Sequence, residues 1–263
     1  MKKYLSVFAA MAALTILLVT AAYAGTGDVA ITFWGQSAFK LESGGKTILI
    51  DPWITGNPVS PVTVDDINVA DFILVTHDHF DHVGDTIALA IKTGAIVVAE
   101  YETAAKLIGN GLPPENVLYG GFGRSIGGAI ELVNGISLVM TPAVHSSDSG
   151  VAVGYIIKFA GGATVYHAGD TAIFGDMLLY GTLYPIDMAL TPIGGAFQMD
   201  AFQAARSLKL LTPKKAIPMH YGTFPMLAPN PDEFVAQAKK IAPGVGVIAL
   251  KPGEKYVLQP CQY

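Results

Sequence analysis

Residues 76–82 read Thr76-His77-Asp78-His79-Phe80-Asp81-His82, and they follow directly on the apolar run Phe72-Ile73-Leu74-Val75. A short run of that kind is the pattern of a buried strand, so the loop leaving it starts from a fixed point. Such a loop can aim His77 and His79 at one metal ion while Asp81 and His82 point to a neighbouring one. Neutral imidazole and carboxylate are good ligands for Zn and other first-row divalent ions. The chain has six histidines in 263 residues, and three of them fall in these seven positions. A solvated polar surface loop would not need that concentration.

Working outward, three further segments end an apolar run on a metal-ligating side chain: Ala143-Val144-His145, His167-Ala168-Gly169-Asp170-Thr171 and Pro218-Met219-His220-Tyr221-Gly222. The end of a strand is where a rigid sheet can hold a ligand at a fixed position. Taken alone, His145 or His220 reads as a hydrogen-bonded structural histidine, but the joint pattern reverses that reading.

The rest of the chain supplies the scaffold. Short β-type runs at 29–34, 38–41 and 47–50 predict an antiparallel meander, followed by an aperiodic Pro- and Gly-containing stretch at 51–69. After the strand at 72–76, helix-like spacing at 84–92 and 101–107 with a strand at 95–99 between them reads as a βαβ passage. Strands are predicted at 129–133, 136–141, 151–159 and 163–166. Strands at 187–190, 215–219 and 245–250 then alternate with helices at 200–211 and 231–241, with Asp200 as an N-cap and Gly244 as a stop. Two strand-rich blocks, each followed by helices, predict an α/β domain of two sheets packed face to face with helices outside, a four-layer αβ/βα sandwich.

Composition narrows the function. The formal charge is −5 and the only arginines are Arg124 and Arg206, which argues against a nucleic-acid partner, since phosphate backbones are bound by basic faces. Lys2 and Lys3, an apolar run over 4–20 and the small residues Ala22 and Ala24 read as a secretory signal cleaved after Ala24, leaving a domain of 25–263. The expected location is therefore periplasmic or extracellular, without stable membrane association once the signal is removed; a homo-oligomer is compatible with the sequence. The single cysteine, Cys261, excludes an internal disulfide and a thiolate metal site.

The motifs T-H-D-H-F-D-H, H-A-G-D-T and M-H-Y-G-T-F-P resemble the metallo-β-lactamase superfamily. Within it, I-T-F-W-G-Q-S-A-F, I-L-I-D-P-W-I-T-G-N-P, V-G-Y-I-I-K-F, L-T-P-I-G-G-A-F-Q-M-D and L-K-P-G-E are similar to the lactonase-like group of bacterial and archaeal metal-dependent hydrolases, relatives of ascorbate-phosphate lactonase. The resemblance spans essentially all of 25–263 and implies the metallo-β-lactamase fold. It further implies two divalent metal ions, Zn first among them with Mn and Fe as alternatives. His77, His79 and His145 would bind the first, Asp81, His82 and His220 the second, and Asp170 would bridge both. Asp51 takes the place of an aspartate that stands behind a ligating histidine and fixes its orientation; the other reading of Asp51 is a cap on its own Pro-containing turn. Gln36 stands where relatives often carry histidine, and His167 has no ligand role in the shared pattern.

Such a centre is expected to generate a metal-bound hydroxide that cleaves an ester or lactone bond of a small, anionic substrate, with Asp81 or Asp170 accepting the water's proton. Phosphodiester hydrolysis on the same dinuclear site is the alternative, and a non-catalytic exported metal-binding protein is a third reading. Trp53, Phe197, Met199 and Tyr221 are candidates for pocket walls or for core packing. Arg124 is either an anion anchor or a surface residue.

Overall fold

The alternating apolar residues near the start form three strands, β1 (Val29–Phe33), β2 (Phe39–Ser43) and β3 (Lys46–Ile50), paired antiparallel in chain order as predicted. The structure is a computed structural model describing residues 27–259; the expected signal segment 1–24 and Cys261 lie outside the described residues. β4 (Phe72–Leu74) and β5 (Ile96–Val98) continue the sheet in parallel, and β13 (Lys255–Leu258) closes its other side against β1, giving the order β13-β1-β2-β3-β4-β5.

The second sheet begins with β6 (Ile130–Val133), β7 (Ile136–Pro142), β8 (Val153–Lys158) and β9 (Thr164–His167), an antiparallel meander. It continues in parallel through β10 (Met188–Pro192), β11 (Lys215–Met219) and β12 (Gly246–Val247). Between the sheets, Phe33, Phe39, Leu41 and Ile50 meet Leu138, Met140, Tyr155 and Leu190 in one dry core. Burying each such side chain is worth roughly 1.5–3 kcal/mol, which fixes the two sheets face to face.

Helices cover both outer faces. On the first sheet, α1 (Phe80–Val83), α2 (Thr86–Thr93) and α3 (Tyr101–Gly109) lie over a cluster containing Leu49, Ile73 and Val97. On the second, α4 (Met177–Leu183), α5 (Ala201–Leu211) and α6 (Asp232–Ile241) pack on Ile156, Tyr166 and Ala189. Asp200 caps α5 by accepting the Gln203 amide at 2.7 Å, as expected.

The departures from expectation are local. The helix predicted over 84–92 is present as α2, and a further short helix, α1, precedes it within the His-rich loop; Gly84 separates the two at φ 43°, where a Cβ would sit 2.4 Å from the Trp53 Cα. The strand expected over 245–250 is only β12, and helix α4 was not anticipated. β13 also went unread, and it returns the chain end to the first sheet. Among the described residues, no helix is long and apolar enough to cross a membrane.

Candidate metal centre

Strand direction brings the predicted ligands together. β3 and β4 are parallel, so Asp51 and the loop 76–82 leave the first sheet at the same end. β7, β9 and β11 also run in one direction, and His145, Asp170 and His220 follow their C-terminal ends. Backbone hydrogen bonds between the sheets join the two rims at the centre: the Val153 amide donates to the Thr76 carbonyl at 2.9 Å, and the His220 amide to the Gln36 carbonyl at 2.7 Å.

The backbone at this rim is held in uncommon conformations. Gln36, Asp51 and His220 have φ of 54°, 45° and 59°, the left-handed region that costs a non-glycine residue on the order of 1–3 kcal/mol. Gly169, at φ 62°, precedes Asp170 where a Cβ would lie 2.5 Å from the Val153 carbonyl oxygen. That close passage explains the glycine in His-Ala-Gly-Asp.

All seven predicted ligands converge. His77, His79 and His145 form one group, His77, His82 and Asp170 a second, and Asp81, His82 and His220 a third, with the ligand atoms of each group within 4.8 Å of one another. Asp170 stands among them: its Oδ2 is 2.9 Å from His220 Nε2 and 3.8 Å from His145 Nε2, and its Oδ1 is 3.5 Å from His82 Nε2. His82 Nε2 and Asp170 Oδ1 are buried and have no hydrogen-bond partner. Orphaned polar atoms in a protein interior are costly, and a cation between these two satisfies both. The donor set, imidazole nitrogen and carboxylate oxygen without thiolate, fits Zn, Mn or Fe.

The charge state of the chain suits that task. Burial drives the His77 imidazole down to about 2, helped by His82 and opposed by Asp170; burial also lowers His145. Both therefore offer neutral nitrogen. Burial opposes ionisation of Asp170 and Asp81, yet the neighbouring His220 and His82 hold both below the usual carboxylate range. His82 and His220 move up: burial acts downward, and Asp170 outweighs it, with Asp51 adding to the effect at His82.

Residues behind the ligands fix their orientation. Asp51 Oδ2 is 2.8 Å from His82 Nδ1 and accepts the Thr76 hydroxyl at 2.7 Å, while Asp51 Oδ1 accepts the Thr76 amide at 2.8 Å. The geometry favours the first reading of Asp51: it stands behind His82, and its carboxylate ties down the loop after β4 rather than its own turn. Gln36 Nε2 donates to Asp81 Oδ2 at 2.7 Å, and its Oε1 accepts the Thr223 hydroxyl. The buried Gln198 amide lies 2.7 Å from His220 Nδ1, and its Oε1 has no other partner. Gln198 Nε2 also donates to the His220 carbonyl at 3.3 Å, and the far ring nitrogen of His220, Nε2, faces Gln36 Nε2 at 2.8 Å and Asp170 Oδ2 at 2.9 Å. Sequence reasoning missed Gln198; its only signal was its place in L-T-P-I-G-G-A-F-Q-M-D.

Asp78 was also missed, although it lies inside the heptad. It accepts Lys106 Nζ at 2.8 Å, the hydroxyls of Ser147 and Ser149 at 2.6 Å each and the Asp148 amide at 2.7 Å. It thereby clasps the 76–82 loop to α3 and to the segment that carries His145.

The centre opens into a cavity of 440 Å³ whose floor is His79, Asp81, His145, Asp170 and His220. Phe80, Phe197, Phe224 and Met226 line its walls. Of the proposed wall residues, only Phe197 faces the cavity. Trp53 lies beneath the wall, and Met199 and Tyr221 pack in or against the core. His167 is a buried structural residue: its Nε2 donates to the Ser37 carbonyl at 3.1 Å and its Nδ1 accepts the Gly169 amide at 3.2 Å. Arg124 donates to the Gly128 carbonyl within its own loop and does not line the cavity.

A two-sheet sandwich with an imidazole and carboxylate cluster at one rim defines a superfamily, and the comparisons agree: residues 46–221 match the family described as the β-lactamase superfamily domain. The chain belongs to that superfamily, as a metal-dependent hydrolase of the metallo-β-lactamase fold. It is 48% identical over 232 residues to a UPF0173 metal-dependent hydrolase of Nitratidesulfovibrio vulgaris, covering 88% of this chain and 96% of the relative. A counterpart from Caldivirga maquilingensis is 47% identical over 84% of this chain and 94% of its own. Among solved structures, a metallo hydrolase from the archaeon Ignicoccus hospitalis superposes with a TM-score of 0.80 at 39% identity, over 88% of this chain and 99% of that one.

Proposed function

We propose that this hydrolase cleaves an ester or lactone bond in a small molecule, with two divalent cations, Zn foremost and Mn or Fe as alternatives. His77, His79 and His145 would hold one and Asp81, His82 and His220 the other, with Asp170 shared. The observation that carries this reading is the convergence of seven imidazole and carboxylate side chains on the floor of an open cavity, with His82 Nε2 and Asp170 Oδ1 buried and unpartnered.

Bound there, divalent cations polarise a carbonyl oxygen and make water acidic enough to act as a nucleophile near neutral pH. The protein's part is positional and electrostatic. Asp170 and Asp81 are ionised on the cavity floor, so either carboxylate can accept a proton from the attacking water. Gln36 holds one Asp81 oxygen by a hydrogen bond, which limits how that carboxylate can turn. No serine, cysteine or lysine nucleophile is required.

The ester reading is favoured over the phosphodiester one because none of the lining residues is a lysine or arginine, the side chains that usually meet phosphate oxygens. Assay of the metal-loaded protein against a lactone and a chromogenic phosphodiester, with elemental analysis of the same sample, tests this. Lactone turnover that is lost in Asp170→Ala is expected; phosphodiester turnover alone would reverse the assignment. We further propose that the protein is exported, on the strength of its basic and apolar first residues. N-terminal sequencing from the native host should begin at Gly25.

A further inference from the structure

The walls of the cavity say more about the substrate than its floor does. Phe80, Phe197 and Met226 are 68%, 61% and 58% exposed, although large apolar side chains normally gain by burial. They come from three separate segments: α1, the loop before α5 and the loop after β11. With Phe224 they ring one opening. Isolated exposed apolar residues are ordinary, but a contiguous group around a polar floor is the form of a ligand site.

One wall is built in advance. Trp53, only 5% exposed, stacks on Phe224 with centroids 5.6 Å apart and planes 8° apart, and meets Phe80 edge-on at 5.7 Å. Phe80 and Phe224 themselves stand 6.2 Å apart. Rings locked against a buried indole cannot collapse into the opening. Phe197 and Met226 complete the apolar lining.

Charge is the second observation. Apart from the groups on the floor, the one polar residue lining the cavity is Ser146. Once the scissile group sits on the floor, an anionic tail would meet rings and a thioether instead of a cation, and would lose hydration without compensation.

We infer that the cavity mouth selects an uncharged, apolar acyl group on the substrate, with Phe80, Phe197, Phe224 and Met226 as its specificity determinants. This departs from the anionic substrate expected from sequence, and it rests on the ester-hydrolase reading above.

The test compares kcat/KM of the Zn-loaded protein on 4-nitrophenyl acetate, 4-nitrophenyl hexanoate and the 4-nitrophenyl monoester of adipic acid, which matches the hexanoate in length but ends in a carboxylate. At about fourfold per buried methylene, hexanoate should exceed acetate by well over tenfold, and should exceed the adipate ester by a similar factor. Phe197→Ser and Met226→Ser, both at exposed positions on which packing does not depend, should each reduce the hexanoate-to-acetate ratio severalfold. A second readout needs no turnover: in chelator-treated Trp34→Phe protein, where Trp53 is the one remaining indole, 2-octanone should perturb the fluorescence at lower concentration than 7-oxooctanoate, which carries the same methyl ketone but ends in a carboxylate. Equal rates on the three esters, or preference for the adipate ester, would overturn the inference and leave the hydrolase standing. If no ester is turned over by metal-loaded protein, the ester reading fails, and the fluorescence comparison alone decides whether the pocket prefers a neutral chain.

Discussion

His82 and His220 are matched as candidate ligands but differ in what stands behind them. A carboxylate, Asp51, backs the first, and an amide, Gln198, backs the second. Removing a group that orients a ligating imidazole typically costs 10–100-fold in metal affinity. Asp51→Ala and Gln198→Ala should therefore each weaken binding at the Asp81-His82-His220 group by about that factor, read by competition with a chromophoric chelator. Asp51→Ala should lose more, because it also releases Thr76. Unchanged affinity in both variants would mean that the imidazoles are held by packing alone. Asp51 was legible because it occupies a position in a recognisable motif. Gln198 was not, since a lone amide in a loop carries no ligand signature until the fold sets it against a histidine.

The same two histidines set the pH behaviour of the metal-free protein. Their folded pKa values lie above 6.5, raised chiefly by Asp170 against the effect of burial. The stability they contribute is present below the ordinary histidine value and is lost as pH rises through the raised values. Near neutral pH a cation must displace their protons, whereas His77 is already neutral. Zn binding should accordingly release protons and tighten as pH rises from 6 to 8. Calorimetric titration in buffers of different ionisation enthalpy measures the release, and a binding enthalpy independent of buffer would refute it.

Among the elements, the segment 76–82 is held at both ends by unlike means. β4 anchors its start in the sheet, while Asp78 fastens its middle to Lys106 of α3 and to residues 147–149. Burial alone would raise the Asp78 pKa, but the hydrogen bonds from Lys106, Ser147 and Ser149 together lower it well below the ordinary value. Its contribution to stability is then complete above pH 3.8 and declines as pH falls below it. Asp78→Ala, which removes an acceptor from four donors and leaves the Asp148 amide and the Ser149 hydroxyl without one while Lys106 keeps Asp148 and the Ser147 hydroxyl keeps the Ser149 carbonyl, should cost about 1–3 kcal/mol. It should also weaken the His77-His79-His145 group more than the other, because His145 is carried by the clasped segment. Urea unfolding at pH 7 and pH 3.5 checks the first expectation: the difference between wild type and variant should shrink in acid. At this scale the sequence was uneven. β1 to β3 and α5 announce themselves through alternation and an N-cap. α4 does not, since Leu178, Leu179 and Leu183 are exposed and blur its amphipathic pattern, and it lacks a side-chain cap. β13 is invisible locally because its partner is β1, at the far end of the described chain.

For the whole molecule, the ligands straddle its two halves. Asp81, His82 and the first two histidines descend from the first sheet, and His145, Asp170 and His220 from the second, so a cation held by this candidate set would be a bond between the sheets. The block structure of strands and helices made the sandwich legible, but not how its halves are fastened, because contacts between distant segments leave no local pattern. A ligand that binds only the folded state stabilises it by RT ln(1 + [L]/Kd), about 4 kcal/mol at a thousandfold excess over Kd. For a domain of this size that corresponds to a melting temperature higher by on the order of 10 °C. Stripping the metal with a chelator should lower the melting temperature by about this amount, and adding Zn should restore it. Asp170→Asn, which keeps the shape of the side chain but removes the charge that lies between His82, His145 and His220, should abolish most of the difference between metal-loaded and stripped protein. If wild type and stripped protein melt together, the cluster is not where the cations bind. If Asp170→Asn retains the full shift, Asp170 is not the residue that joins the two halves of the centre.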